Sequence, residues 1–126
     1  MRSKQPPLDI VPPSGIFVRT PDLSVFYIKG GKAYAITEIH LRSWNTDVFP
    51  ITRTALLNVP IEGKLGFRDG TLVKDFADGK MYLISDSKRR QITNPATFEA
   101  LGGKRRLVTA PTEYLRIHPE GESLDS

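Results

Sequence analysis

Apolar and polar positions along the chain fall into short alternating runs, broken at close intervals by turn residues. In the most regular stretch, Met81-Tyr82-Leu83-Ile84 puts Tyr82 and Ile84 on one strand face and Met81 and Leu83 on the other. Asp86-Ser87 is a turn signal, and Lys88 to Thr93 returns as a second, polar strand, so the pair reads as a hairpin. A helix start follows. Asn94 can cap it, and Pro95 at the first helical position loses no useful N–H. Phe98 and Leu101 share one face of that helix, and Gly102-Gly103 stops it.

The same order of elements occurs earlier in the chain in a degraded form. Ile16 to Arg19 and Val25 to Ile28 read as strands, Gly30-Gly31 as a hairpin turn, and Lys32 to Ile36 as the returning strand. Thr37 caps a short helix carrying Ile39, Leu41 and Trp44 that ends near Asn45. Val48 to Ile51 is extended, and Thr52 caps a further turn of helix through Asn58. In the second copy Gly70-Thr71-Leu72-Val73-Lys74 answers Gly15-Ile16-Phe17-Val18-Arg19 at an offset of about 55 positions. Tyr82-Leu83-Ile84 answers Phe26-Tyr27-Ile28, while Phe98 and Leu101 fall opposite Leu41 and Trp44. Leu107-Val108 and the segment from Pro111 to Ile117 complete the match, as a strand and a short helix. Insertions fall in the loops, as in a duplication.

The expected organisation is therefore an extended Pro-rich arm (1–13), a first repeat module (14–66), a second repeat module (67–121) and a frayed tail (122–126). The fold class is β-rich α+β: two tandem small modules of short antiparallel strands, each with one or two short helices. Modules of this size bury little surface alone, so they are expected to pack on each other or on other chains. Leu65, Phe67 and Leu72 are the candidate seam. Pro6-Pro7 and Pro12-Pro13 keep the arm extended, and Leu8-Asp9-Ile10-Val11 between them is a β-prone run able to add to a sheet edge on another subunit. Leu8, Ile10, Val11 and Trp44 are the candidate interface residues.

Composition narrows the chemistry. The chain has no cysteine, which excludes disulfides, thiolate metal sites and cysteine nucleophiles. No apolar run approaches the roughly 18 residues of a membrane span, and the polar start predicts no secretory leader and no membrane partner. A net charge of +4 permits contact with nucleic acid or an acidic surface. Two basic clusters, Lys88-Arg89-Arg90 and Lys104-Arg105-Arg106, form the candidate patch. On a strand Arg89 points opposite to Lys88 and Arg90, and the first module lacks both clusters, so a solvated edge strand is the better account. The aromatics Tyr27, Tyr34, Trp44, Tyr82 and Tyr114 can stack on sugars or bases, but most fall at core positions.

His40 and His118 stand at non-equivalent places in the two modules, with no second ligand at metal spacing and no nucleophile arrangement. Asp75, Asp78 and Asp86 sit around turns for backbone reasons. No cofactor site and no catalytic residue emerge, and the expectation is a protein that is not an enzyme.

The run Gly70-Thr71-Leu72-Val73-Lys74, then Met81-Tyr82-Leu83-Ile84, then Lys88-Arg89-Arg90-Gln91-Ile92-Thr93, with Phe98, Gly102, Val108, Leu115 and Pro119-Glu120-Gly121, resembles a short repeat of bacterial surface-layer and cell-surface proteins. Paired copies resemble small tail-associated virion proteins of siphophages infecting actinobacteria. The first copy departs from the pattern at Ala33-Tyr34 and lacks the glycine stop near Trp44. The resemblance implies a non-enzymatic structural protein of a phage particle, a minor tail or tail-associated component. It would be synthesised in the host cytoplasm and assembled into the virion with other virion structural proteins, in multiple copies. The alternative expectation is a cell-envelope or glycan-binding module using exposed aromatics; a third is a virion protein that contacts DNA through the basic clusters.

Overall fold

The computed structural model describes residues 6–125. Positions 1–5 of the expected arm and position 126 of the expected tail lie outside the described residues. The chain divides into two compact units, one made of residues 1–38 and 45–65 and the other of 39–44 and 66–126. Each contains one sheet, of five strands in unit 1 and four in unit 2, and the short helices make the whole a β-rich α+β fold.

Unit 1 runs through β1 (Phe17–Arg19), β2 (Val25–Lys29) and β3 (Lys32–Ile36), with β4 (Val48–Pro50), helix α2 (Arg53–Leu56) and β5 (Ile61–Lys64). Helix α1 (Glu38–Arg42) starts in unit 1 and continues in unit 2. The sheet order is β4-β1-β2-β3-β5; β1-β2-β3 is an antiparallel meander, and the outer strands join in parallel. Alternation sends Val18, Ile28 and Ala33 to one face, where Ile51 and Val59 complete a core flanked by Ile16, Phe26 and Leu56. Thr52 caps α2 as expected, accepting the Ala55 N–H at 3.1 Å.

Unit 2 repeats that topology with β6 (Leu72–Asp75), β7 (Met81–Ser85), β8 (Lys88–Ile92), helix α3 (Pro95–Ala100), β9 (Leu107–Ala110) and helix α4 (Thr112–Leu115). The order is β8-β7-β6-β9, again an antiparallel meander with a parallel strand beside the first. Matching pairs recur. Phe17 stands opposite Tyr27 as Leu72 stands opposite Leu83, and Val25 opposite Ile36 as Met81 opposite Ile92. The Gly15 N–H reaches the Ile28 carbonyl at 2.7 Å, and the Gly70 N–H reaches the Ile84 carbonyl at the same distance.

The two faces of β7 bury as its alternation predicts. Tyr82 and Ile84 join Phe67, Val73, Ala110 and Leu115 in one core; Met81 and Leu83 flank another built on Leu72, Ile92 and Phe98. Asn94 caps α3 through the Ala96 N–H at 2.9 Å, Pro95 opens it, and Gly102, at φ 118°, ends it in a conformation that favours glycine. The proposed seam residues have separate places: Phe67 and Leu72 belong to the two cores of unit 2, and the Leu65 N–H bonds the Ala35 carbonyl at 2.8 Å in unit 1.

The tail departs from the expectation of fraying. Leu124 packs beside the Phe98 core and its N–H meets the Gln91 carbonyl at 2.9 Å. The Asp125 carboxylate accepts the backbone N–H groups of Thr93 and Asn94 at 3.0 and 2.7 Å, and these bonds hold its pKa below the ordinary value. Backbone groups of β8 and its end, together with the packing of Leu124, tie this segment down.

Candidate functional site

The arm was expected to seek a sheet edge on another subunit, and here Leu8 takes the edge of its own β4. It forms a parallel bridge with Ile51. Its N–H donates to the Pro50 carbonyl at 2.8 Å, its carbonyl accepts from the Thr52 N–H at 2.9 Å, and the Thr52 hydroxyl donates to Asp9 at 2.8 Å. The Leu8 side chain is half-buried against the unit 1 core, whereas Ile10 and Val11 remain 65% and 71% exposed. Trp44 is half-buried, and its indole N–H donates to the Gly66 carbonyl at 2.9 Å within unit 2.

The six basic residues do not act as one patch. Arg89 turns inward, as its strand parity requires. Its guanidinium donates to the Leu115 carbonyl at 3.3 Å and to the His118 carbonyl, lies 5.8 Å from the Tyr82 ring centre, and has Glu120 at 3.9 Å. It caps the end of α4. Arg90 donates through Nε to the Glu122 carbonyl at 3.0 Å, so β8 is covered by the C-terminal segment and is not the solvated edge expected. Lys88 is exposed, as are Lys104, Arg105 and Arg106 on a single 3₁₀ turn (Gly103–Arg106).

Sequence reasoning missed the main polar cluster. His40 and His118 lie roughly 260 Å of extended chain apart along the sequence, yet both bury in unit 2 with ring centres 6.5 Å apart. Phe67 meets His40 edge-on at 4.5 Å and stacks on His118 at 5.8 Å. His118 Nδ1–H donates to the Ser87 carbonyl at 2.8 Å, and its Nε2 accepts the Phe67 N–H at 2.9 Å, an assignment that a neutral ring alone satisfies. His40 Nε2–H donates to the Tyr114 carbonyl at 2.8 Å. Burial pushes both imidazoles below their ordinary pKa; Arg89 and His40 push His118 the same way, against its Ser87 bond and Asp69.

Gly66 permits this arrangement. A Cβ there would stand 2.5 Å from His118 Nε2 and 2.8 Å from Ile117 Cγ2. With both nitrogens engaged, His118 has no lone pair to offer a metal or a proton donor. It is a tie joining the start of unit 2, the β7–β8 turn and the chain after α4. Its sequence signal is positional: His118-Pro119 closes the second repeat where Val59-Pro60 closes the first.

Asp75 and Asp78 serve backbone turns, as their positions suggested: Asp75 accepts the Ala77 N–H at 2.8 Å and Asp78 the Lys80 N–H at 2.9 Å. Asp75 also accepts the Thr112 hydroxyl at 2.7 Å, and this bond leads the causes that lower its pKa. Among the described residues, no group of three or more His, Cys, Asp or Glu side chains is placed to hold a metal ion, and no helix is long and apolar enough to cross a membrane. Comparison of the chain with protein-family models, with curated proteins and with solved structures finds no match.

Proposed function

We infer that the chain is a non-enzymatic structural component of a bacteriophage particle, placed in or beside the tail and present in several copies. The observation that carries this reading is the recurrence of one strand-and-helix topology in both units. The run that resembles the surface-layer repeat spans a complete unit of that topology, from β6 through β9 and α4. Its named positions are framework: Leu72, Val73, Ile84, Phe98 and Leu115 are buried, and Arg89 caps a helix end. Such a unit supplies a surface for assembly, and its partners are other virion structural proteins. On this reading the chain is made in the host cytoplasm and ends in the virion.

The test is mass spectrometry and immunogold labelling of purified particles from a strain encoding the chain. Several copies per particle at a tail position are expected, and absence from particles overturns the reading. Glycan binding is the weaker alternative because Tyr82 is buried and the Trp44 indole N–H is engaged. DNA contact would rest on Lys104, Arg105 and Arg106, since Arg89 is committed to carbonyls. Retention on a DNA column that falls steeply with added salt would promote it.

A further inference from the structure

We propose that the N-terminal arm is an exchangeable strand, and that two copies of this chain pair by placing each Leu8 on the β4 edge of the other. The inference stands on the geometry of unit 1 and not on the particle reading.

The docking contact is local and modular. Leu8 is held by two backbone hydrogen bonds to Pro50 and Thr52, one side-chain bond from Thr52 to Asp9, and a half-buried leucine. All of these can form identically whether the arm comes from the same chain or from a second one, which is the condition for exchanging an element between copies. The occupant of the β4 edge is thus already visible, and a second copy carries the same one.

The connector is exposed except at Pro12, which is buried in the closed form and which an exchanged arm must bury again. Residues 9–13 span roughly 16 Å when extended. Pro12-Pro13 stiffens them, and Val11, before a proline, is biased to extended backbone. A stiff connector loses little freedom when it crosses to a neighbour. The closed form also leaves apolar material without cover. Ile10 and Val11, adjacent in the connector, are exposed, and Leu23 is 69% exposed. Beside the docked arm lies an open groove of about 400 Å³, apolar along Pro7, Leu23, Val48 and Ile51 and polar at Arg19 and Thr20. In an exchanged pair the two connectors cross side by side, so that Ile10 and Val11 of one copy meet those of the other.

Unit 2 shows why the arm belongs to β4. The residue matching Thr52 at the corresponding edge is Pro111, which has neither an N–H nor a hydroxyl to give. An arm placed there would lose the bonds that Thr52 supplies.

The chain has no cysteine, so the test can be read by disulfides. Asp9→Cys and Thr52→Cys are prepared as separate chains, mixed, incubated to allow exchange, and oxidised. The mixed disulfide is expected in several-fold excess over either homodisulfide. Ile10→Cys alone, at an exposed site that spares folding, should dimerise several-fold faster than Lys104→Cys. Sedimentation of the full chain should show a dimer growing with concentration, and a chain lacking residues 1–13 should stay monomeric with unchanged circular dichroism. A full chain that is monomeric at every concentration overturns the proposal. So does a dimer that survives removal of the arm, or an Asp9→Cys/Thr52→Cys double variant whose dimer carries only disulfides within each chain.

Discussion

The two units close the same topology with different chemistry. In unit 1 the Ala33 N–H meets the Pro60 carbonyl at 2.9 Å, and in unit 2 the Arg89 N–H meets the Pro119 carbonyl at 3.0 Å, which makes Arg89 the counterpart of Ala33 and His118 the counterpart of Val59. Ala33 and Val59 fill a purely apolar core. Arg89 and His118 occupy the matching space and turn it into a hydrogen-bonded tie to four carbonyl and amide groups. Apolar closure tolerates exchanges that conserve volume, whereas polar closure demands that every donor find its acceptor. A duplicated fold can therefore keep its strand order while its interior changes from one kind of bonding to the other.

Several changes test that contrast. Phe98→Ala should have the largest effect, about 3–5 kcal/mol in urea unfolding, because unit 2 still rests on apolar packing on its other sheet face. Should His118→Val prove the more damaging, polar closure would outweigh that packing and the contrast would need to be drawn more strongly. His118→Val, which installs the residue of unit 1, should cost about 1–3 kcal/mol by stranding the Phe67 N–H and the Ser87 carbonyl. A neutral result would mean that the tie is dispensable.

Acid separates the units next. Both histidines belong to unit 2, and both have pKa values lowered on folding, so the unfolded chain binds more protons in mild acid. Their contribution is complete above the ordinary histidine pKa of about 6.5 and fades as pH falls toward the folded values. A melt series from neutral pH to about pH 5 should show the loss, and His118→Val should flatten it.

Smaller effects concern caps and turns. Asn94→Ala should cost about 1 kcal/mol, the usual effect of losing a helix N-cap, read from the melting midpoint. The hairpin turns differ as well: Gly30-Gly31 in unit 1 corresponds to Asp86-Ser87 in unit 2, with φ of 58° and 76° against 53° and 63°. Serine tolerates that left-handed region poorly, and its bonds to Asp69 and His118 use only backbone atoms. Ser87→Gly relieves about 1–2 kcal/mol of left-handed strain against about 0.4–1 kcal/mol of added unfolded-chain entropy. A small net stabilisation is therefore expected in the same assay, and a loss would show that the entropy outweighs the strain.

What was legible in the sequence was local. The β7–β8 hairpin, the Asn94-Pro95 start of α3, the burial of Phe98 and the turn roles of Asp75 and Asp78 follow from rules spanning a few residues. The duplication was legible because it multiplies such local signals. The interior role of Arg89 was half legible: strand parity turned it from its neighbours, but only α4, distant in sequence, supplies its carbonyls. The histidine pair was not legible, since no spacing rule joins residue 40 to residue 118. The docking of Asp125 was missed for a related reason, because few apolar residues suggested fraying while strand-end N–H groups supplied the bonds. For Leu8 the sequence suggested a sheet edge but not that it would be the chain's own β4.

The division of the chain into interleaved pieces has a consequence for its synthesis. Unit 1 has all its strands once Leu65 is made, but β8 of unit 2 acquires its outer cover only with Leu124. At about 5–20 residues per second, that interval is roughly 3–12 s on the ribosome. Gly66 and Phe67 follow Leu65 at once, but the rest of the core that Ile39 packs against, from Val73 through Tyr82 and Ile84 to Ala110 and Leu115, is completed only near the end of that interval. The segment 39–44, made with the first unit, thus waits for most of that interval before the core that buries Ile39 is complete.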